Sequence, residues 1–250
     1  MAWLGLGVFY GGIITGVPVV TGVAQGVQHQ KEANEEAANE TRMAKFYLDV
    51  FCDASHPQKS EVHGGMIVLR HDKVWLAPKD PETLMPVVQK GGGGVPHPFT
   101  GFYISYPDDD RDPKERGLVS TISDDPPMLN WIYVDKNTLE LKYGNRTQSI
   151  EQIVGNWDWT EDEAGVTLDG WEGFCAVKEE EMPDGLKWAL YYDRWDDDFG
   201  NGRLVNGKVR LQCSLERRLL PEELRKAQED AADKKMQVKA TGDLKTQWDV

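Results

Sequence analysis

Between residues 46 and 218 the apolar positions come in short runs separated by clusters of Gly, Pro, Asn and Asp. The runs are too short for helices and either alternate with polar residues or are continuously apolar, as half-buried and fully buried strands do. Candidate strands are 46–51, 65–70, 73–77, 100–106, 117–122, 130–134, 138–143, 171–178, 187–193 and 207–217. In WIYVDKNTLELKY, residues 131–143, both arms alternate around Asp135, Lys136 and Asn137, which predicts a hairpin. The only expected helix inside this region is a short one at 147–155. Strands at this spacing predict a mainly β fold, an antiparallel sandwich or barrel of about ten short strands over 46–218.

The flanks follow other patterns. Residues 1–28 are apolar and glycine-rich: the first thirty residues contain no Asp, Glu, Lys or Arg, and seven of them are glycine. Trp3 to Val27 is long enough, as a helix, to span a hydrocarbon core of about 30 Å. Gly7 and Gly11, Gly12 and Gly16, and Gly22 and Gly26 form small-residue pairs at helical spacing, which let two helices approach closely. Pro18 and the glycines favour a kink or a break over a straight span. Three readings stay open: a membrane-inserted, self-associating segment, a signal peptide with Gly22 and Ala24 before a cut at Gln25, or a buried or oligomer-forming soluble element. Residues 29–45 are rich in Ala and Glu and predict a polar helical stalk. Residues 219–250 carry Pro221 at a helix start and predict a C-terminal helix and tail.

Charge changes the picture. The chain has a formal charge of −14, which argues against nucleic acid as a partner, because that binding rests on Lys and Arg neutralising phosphates. Residues 151–200 hold 15 acids and 3 bases, so 15 − 3 places −12 of the −14 in one stretch that also contains Trp157, Trp159, Trp171, Trp188 and Trp195. An acidic surface with aromatics suits a basic protein, a cation or a glycan. Trp157, Trp159 and Trp195 are the candidate ligand surface, although tryptophans two apart also mark one packed face of a strand.

Candidate chemistry is sparse. Asp193, Asp196 and Asp198, with Asp197 and Asn201, have the oxygen ligands a hard cation takes, without an EF-hand spacing; an acidic hairpin tip is the alternative. Cys52, Asp53, His56, His63 and His71 include metal-ligand residue types at spacings that fit no zinc pattern. Cys52, Cys175 and Cys213, an odd count in apolar surroundings, read as buried thiols. Residues 88–98, with four consecutive glycines and then Pro-His-Pro, lack the Lys-Ser/Thr of a phosphate loop. No nucleophilic triad, zinc-protease or dinucleotide signature occurs, so no cofactor is expected and the enzyme class is left open, with the balance against it.

ISDDPPMLNWIYVDKNTLELKYGNRTQSIEQIVGNWDWTEDEAGVTLDGWEGF, residues 122–174, together with the glycine-rich start and SLERRLLPEE at 214–223, resembles an uncharacterised family of filamentous-fungal proteins. The resemblance covers most of the chain and implies a fungal source and an acidic, Trp-rich β domain. It implies no activity, cofactor or site residue. The resulting expectation is a non-enzymatic interaction or scaffold protein that self-associates at a membrane through residues 1–28. The Lys and Arg that follow this segment place the β domain in the cytoplasm. A membrane-permeabilising protein and a secreted carbohydrate-binding domain or carbohydrate-active enzyme are the alternatives.

Overall fold

In the computed structural model, residues 42–87, 92–124, 127–223 and 226 are described. The chain divides into two units, 1–42 and 43–250, and all described residues except Arg42 belong to the second. The expected glycine pairs Gly7–Gly11, Gly12–Gly16 and Gly22–Gly26, most of the polar stalk and most of the C-terminal helix lie outside the described residues. Residues 221–223 are helical, at the expected start of that last element.

The domain is mainly β. Its strands are β1 Phe46–Phe51, β2 Met66–Arg70, β3 Lys73–Ala77, β4 His97–Pro98, β5 Gly101–Ser105, β6 Arg116–Asp124 and β7 Pro127–Val134. They continue as β8 Leu141–Gly144, β9 Trp157–Trp159, β10 Val166–Leu168, β11 Phe174–Lys178, β12 Trp188–Tyr192, β13 Arg210–Gln212 and β14 Ser214–Leu219. Every pairing between them is antiparallel. β9 and β10 pair only with each other, and the others form one twelve-stranded sheet. β1 joins the two ends of the domain, pairing with β14 from Phe46↔Leu219 to Phe51↔Ser214 and also with β2 and β5.

Three hairpins converge. β2–β3 turns at His71 and Asp72, both at positive φ, as the tight hairpin turn matching strand twist requires. β7–β8 is the hairpin expected from the alternation at 131–143, with Val134 opposite Leu141. Its turn extends beyond Asp135, Lys136 and Asn137, to Glu140. The Asp135 carboxylate accepts the amides of Asn137 and Thr138, and Leu139 takes a positive φ. β11–β12 is the third hairpin. β3 meets the other two at once, through Lys73↔Lys142 and through Trp188↔Leu76 and Ala189↔Trp75, and a Glu140–Tyr191 bridge closes the triangle.

The segments at this junction are buried on both faces. WALYY of β12 is wholly buried, as are most residues of MIVLR, KVWLA and FCAVK, which explains why they read as continuous rather than alternating runs. The core includes Trp75, Trp157, Phe46, Phe99, Tyr103, Phe174 and Tyr192. Trp157 stacks on Phe174 at 6.0 Å and 11°. The expected run at 207–217 splits at Cys213, where the chain leaves β11 and transfers to β1. The expected helix at 147–155 is one turn, α1 Arg146–Ser149, held by a capping box between Asn145 and Gln148. Among the described residues no helix is long and apolar enough to cross a membrane.

Candidate functional site

At the hairpin triangle, charge is matched side by side. The Lys73 ammonium donates to both Glu179 oxygens at 2.8 and 2.9 Å and lies 3.4 Å from Glu140. Lys142 pairs with Asp135 at 2.8 Å and Glu140 at 3.5 Å. The Tyr191 hydroxyl lies 2.6 Å from Glu179 and 2.9 Å from Glu140. Burial opposes the charge on Glu179, but the bonds from Lys73 and Tyr191 outweigh it and hold its pKa below the ordinary value. Burial and the two carboxylates push the Tyr191 hydroxyl far up. A half-buried cluster in which every carboxylate has a lysine is built to hold three hairpins together.

A different arrangement surrounds Trp171. Asp169 and Gly170, both at positive φ, make the tight turn after β10 and return the chain so that Trp171 bridges Leu168. The indole N–H donates to the Asp193 carbonyl at 3.1 Å, while the residue stays 38 % exposed. Gly173 is required for this: a Cβ there would overlap both the indole nitrogen and that carbonyl. Trp171 is thus pinned at one edge and partly exposed.

Two grooves, each of about 560 Å³, share Trp171 in their walls. The first is lined by Gly173, Cys175, Asp193, Asp196, Asp197, Asp198, Arg210 and Gln212. In it the buried Asp193 carboxylate accepts the backbone amide of Asp198 at 2.9 Å, Asp197 caps the amide of Gly200, and Arg210 forms a two-pronged ion pair with Asp198. Burial, with Asp193 and Asp198 nearby, pushes the Cys175 thiol up to about 12, away from the thiolate form. The second groove is lined by Asn156, Asp158, Trp159, Thr160, Glu161, Thr167, Gly170 and Glu172. Gly165 leaves room there for the Glu172 carboxylate and the Thr160 side chain, which a Cβ would meet.

The residues singled out from sequence separate on this geometry. Trp159 lines the second groove, its ring edge-on to Tyr103 and covered by the Arg217 guanidinium at 4.1 Å. Trp157 is fully buried, and its place is the core rather than a ligand surface; its indole N–H has no hydrogen-bond partner among the described residues. Trp195 is 68 % exposed under the Arg194 guanidinium, outside both linings. Asp193, Asp196 and Asp198 line one groove without converging, since Asp193 serves the local backbone and Asp198 serves Arg210. Among the described residues no group of three or more His, Cys, Asp or Glu could hold a metal ion. Cys52, Cys175 and Cys213 are free and buried. In the other candidate cluster, His63 accepts the Cys52 amide.

Trp171 was not among the expected ligand residues. The signal was there: Asp-Gly immediately before a tryptophan, with a second glycine two residues on, marks a tight turn presenting an aromatic against backbone.

No curated protein and no solved structure matches the chain. A family model for the fungal beta-trefoil domain matches residues 22–221, a span that takes in all three hairpins and both grooves. The chain, with its mainly antiparallel β architecture, therefore belongs to the fungal beta-trefoil domain family.

Proposed function

We propose that this domain is a carbohydrate-binding module whose site is the pair of grooves around Trp171. The observation that carries the reading is an indole fixed through its N–H and left open between two grooves lined with hydrogen-bond acceptors. A sugar presents C–H faces that pack on an aromatic ring and hydroxyls that donate to carboxylates and amide oxygens. The volume of each groove falls within the about 300–1,000 Å³ of small-molecule sites. Membership of the beta-trefoil family supports a binding role only by analogy of fold, and the site itself supplies the chemistry.

Titration calorimetry with a panel of neutral and charged oligosaccharides tests this reading. Trp171→Ala is expected to weaken any sugar bound by wild type by at least about tenfold, the loss of one buried aromatic contact. A wild-type protein that binds no sugar in the panel contradicts the proposal.

The charge-free residues 1–28 support a second element, attachment of the module to a membrane or to other copies of itself. Gentle lysis, fractionation and sizing test it: full-length protein in the membrane pellet or in an oligomer is expected, and wholly soluble monomer contradicts it. If the segment self-associates through Gly12 and Gly16, Gly12→Leu/Gly16→Leu lowers the oligomer size.

A further inference from the structure

We infer that the sugar bound at Trp171 carries protonated amines, as an oligomer of 2-amino-2-deoxy sugars does, in preference to neutral, N-acetylated or acidic sugars. This rests on the carbohydrate reading and specifies its ligand class.

The first observation is which charges near Trp171 are already matched. Asp198 is held by Arg210, and Asp158 by Arg116. The buried Asp193 is turned to the amides behind it. Asp196 and Asp197 in one groove and Glu161 and Glu172 in the other have no ion pair among the described residues. Arg210 is the only cation among the described residues that line either groove. Elsewhere on the domain, the buried Asp49 and the half-buried Glu140 and Glu179 each meet one or two cations. Glu172, half-buried like Glu140 and Glu179, lacks such a partner among the described residues, and Glu161, Asp196 and Asp197 are exposed.

The second observation is independent of charge. Thr167, opposite Asp158 in the β9–β10 pair, is a polar side chain only 7 % exposed that lines the second groove. Its hydroxyl has no hydrogen-bond partner among the described residues. The hydroxyl opens onto the groove and takes its hydrogen-bond partner there, water or a ligand. Sugar hydroxyls and ammonium groups both satisfy that need.

Together these features select a ligand. Because the grooves share Trp171, a chain of sugars lying across the indole places substituents in both. A neutral or N-acetylated sugar would desolvate the unmatched carboxylates without replacing their water by charge. An acidic sugar would add like-charge repulsion. Ammonium groups supply the missing partner on either side and also favour the face of the indole.

The test is calorimetric titration at low salt with three tetramers of one linkage: glucosamine, N-acetylglucosamine and glucose. The glucosamine tetramer is expected to bind at least about tenfold tighter than the other two, with the advantage shrinking as salt rises from about 20 to about 300 mM. Glu161→Gln/Glu172→Gln is expected to pull that ratio toward one. Thr167→Val is expected to weaken the tetramer severalfold at every salt concentration. Equal binding of all three tetramers overturns the amine preference and leaves the carbohydrate reading standing. Binding of none overturns both. Glucosamine binding unchanged in Trp171→Ala overturns the site, because the cation is then held by the general acidity of the domain.

Discussion

The hairpin triangle and the Trp171 grooves are both rich in carboxylates, yet they treat charge in opposite ways. At the triangle, Asp135, Glu140 and Glu179 each touch a lysine, and Tyr191 bonds two of the three. Around Trp171, Glu161, Glu172, Asp196 and Asp197 face two grooves with no ion pair among the described residues. Acidity alone therefore marks nothing: the same residue type ties elements together where a cation is built in and presents charge where none is. Aromatic residues divide the same way. Trp157 is buried against Phe174, whereas Trp171 is fixed by one hydrogen bond and left open.

Substitution can break this comparison. The largest effect is expected at Trp157, where replacement by Ala leaves a cavity in the core and costs about 3–5 kcal/mol. Trp171→Ala is expected to stay within about 1 kcal/mol. Denaturant unfolding of the two variants measures the gap. Equal losses would erase the distinction between core and presented tryptophans.

Removing one partner at the triangle comes next. Glu179→Ala deprives Lys73 of its closest counter-charge in a half-buried site, and about 2–4 kcal/mol of stability is expected to go. Glu161→Gln and Glu172→Gln remove no ion pair, and each is expected to change stability by no more than about 0.5 kcal/mol. A groove substitution as costly as Glu179→Ala would mean that the groove charges are structural too.

The triangle should also set acid sensitivity. Bonds from Lys73 and Tyr191 hold the folded pKa of Glu179 below its ordinary 4.5, and bonds from Lys142 and the amides of Asn137 and Thr138 do the same for Asp135 against burial. The unfolded chain then takes up these protons more readily. Their contribution is complete above about pH 4.5 and is lost as pH falls through the lower folded values. Unfolding midpoints measured down this range are expected to fall more steeply in wild type than in Glu179→Ala.

The smallest expected effect is on thiol chemistry. Burial raises Cys175 and Cys213 above the ordinary thiol range, so a thiol-disulfide reagent should label neither quickly in the native state. All three cysteines become reactive on unfolding. Rapid native labelling of Cys175 would mean that its groove is more open than the fold indicates.

Much of the β domain was legible in the chain. Fully buried strands such as MIVLR and WALYY stand out as continuous apolar runs, and the hairpin at 131–143 as alternation around Asp-Lys-Asn. Less legible were strands that depend on a partner. β9 and β10 are three residues each and exist through mutual pairing, and the 207–217 run changes partner at Cys213. The site was half legible. Periodicity cannot distinguish Trp157 from Trp159, because one faces the core and the other a groove wall that distant residues complete. Trp171 depends on a local device, the Asp169-Gly170 turn and Gly173, which hydrophobic pattern does not register. Convergence of three hairpins on Lys73, Lys142 and Trp188 is a property of long-range pairing, and no local window contains it.

The central claim is that the unmatched charge and the open indole around Trp171 serve a ligand rather than the fold. Calorimetric titration of the glucosamine tetramer into wild type and Trp171→Ala, with unfolding followed on the same samples, tests it most directly. The account predicts a loss of affinity of at least about tenfold in the variant with stability changed by about 1 kcal/mol or less. Undiminished affinity, or a stability loss as large as that of Trp157→Ala, would contradict it.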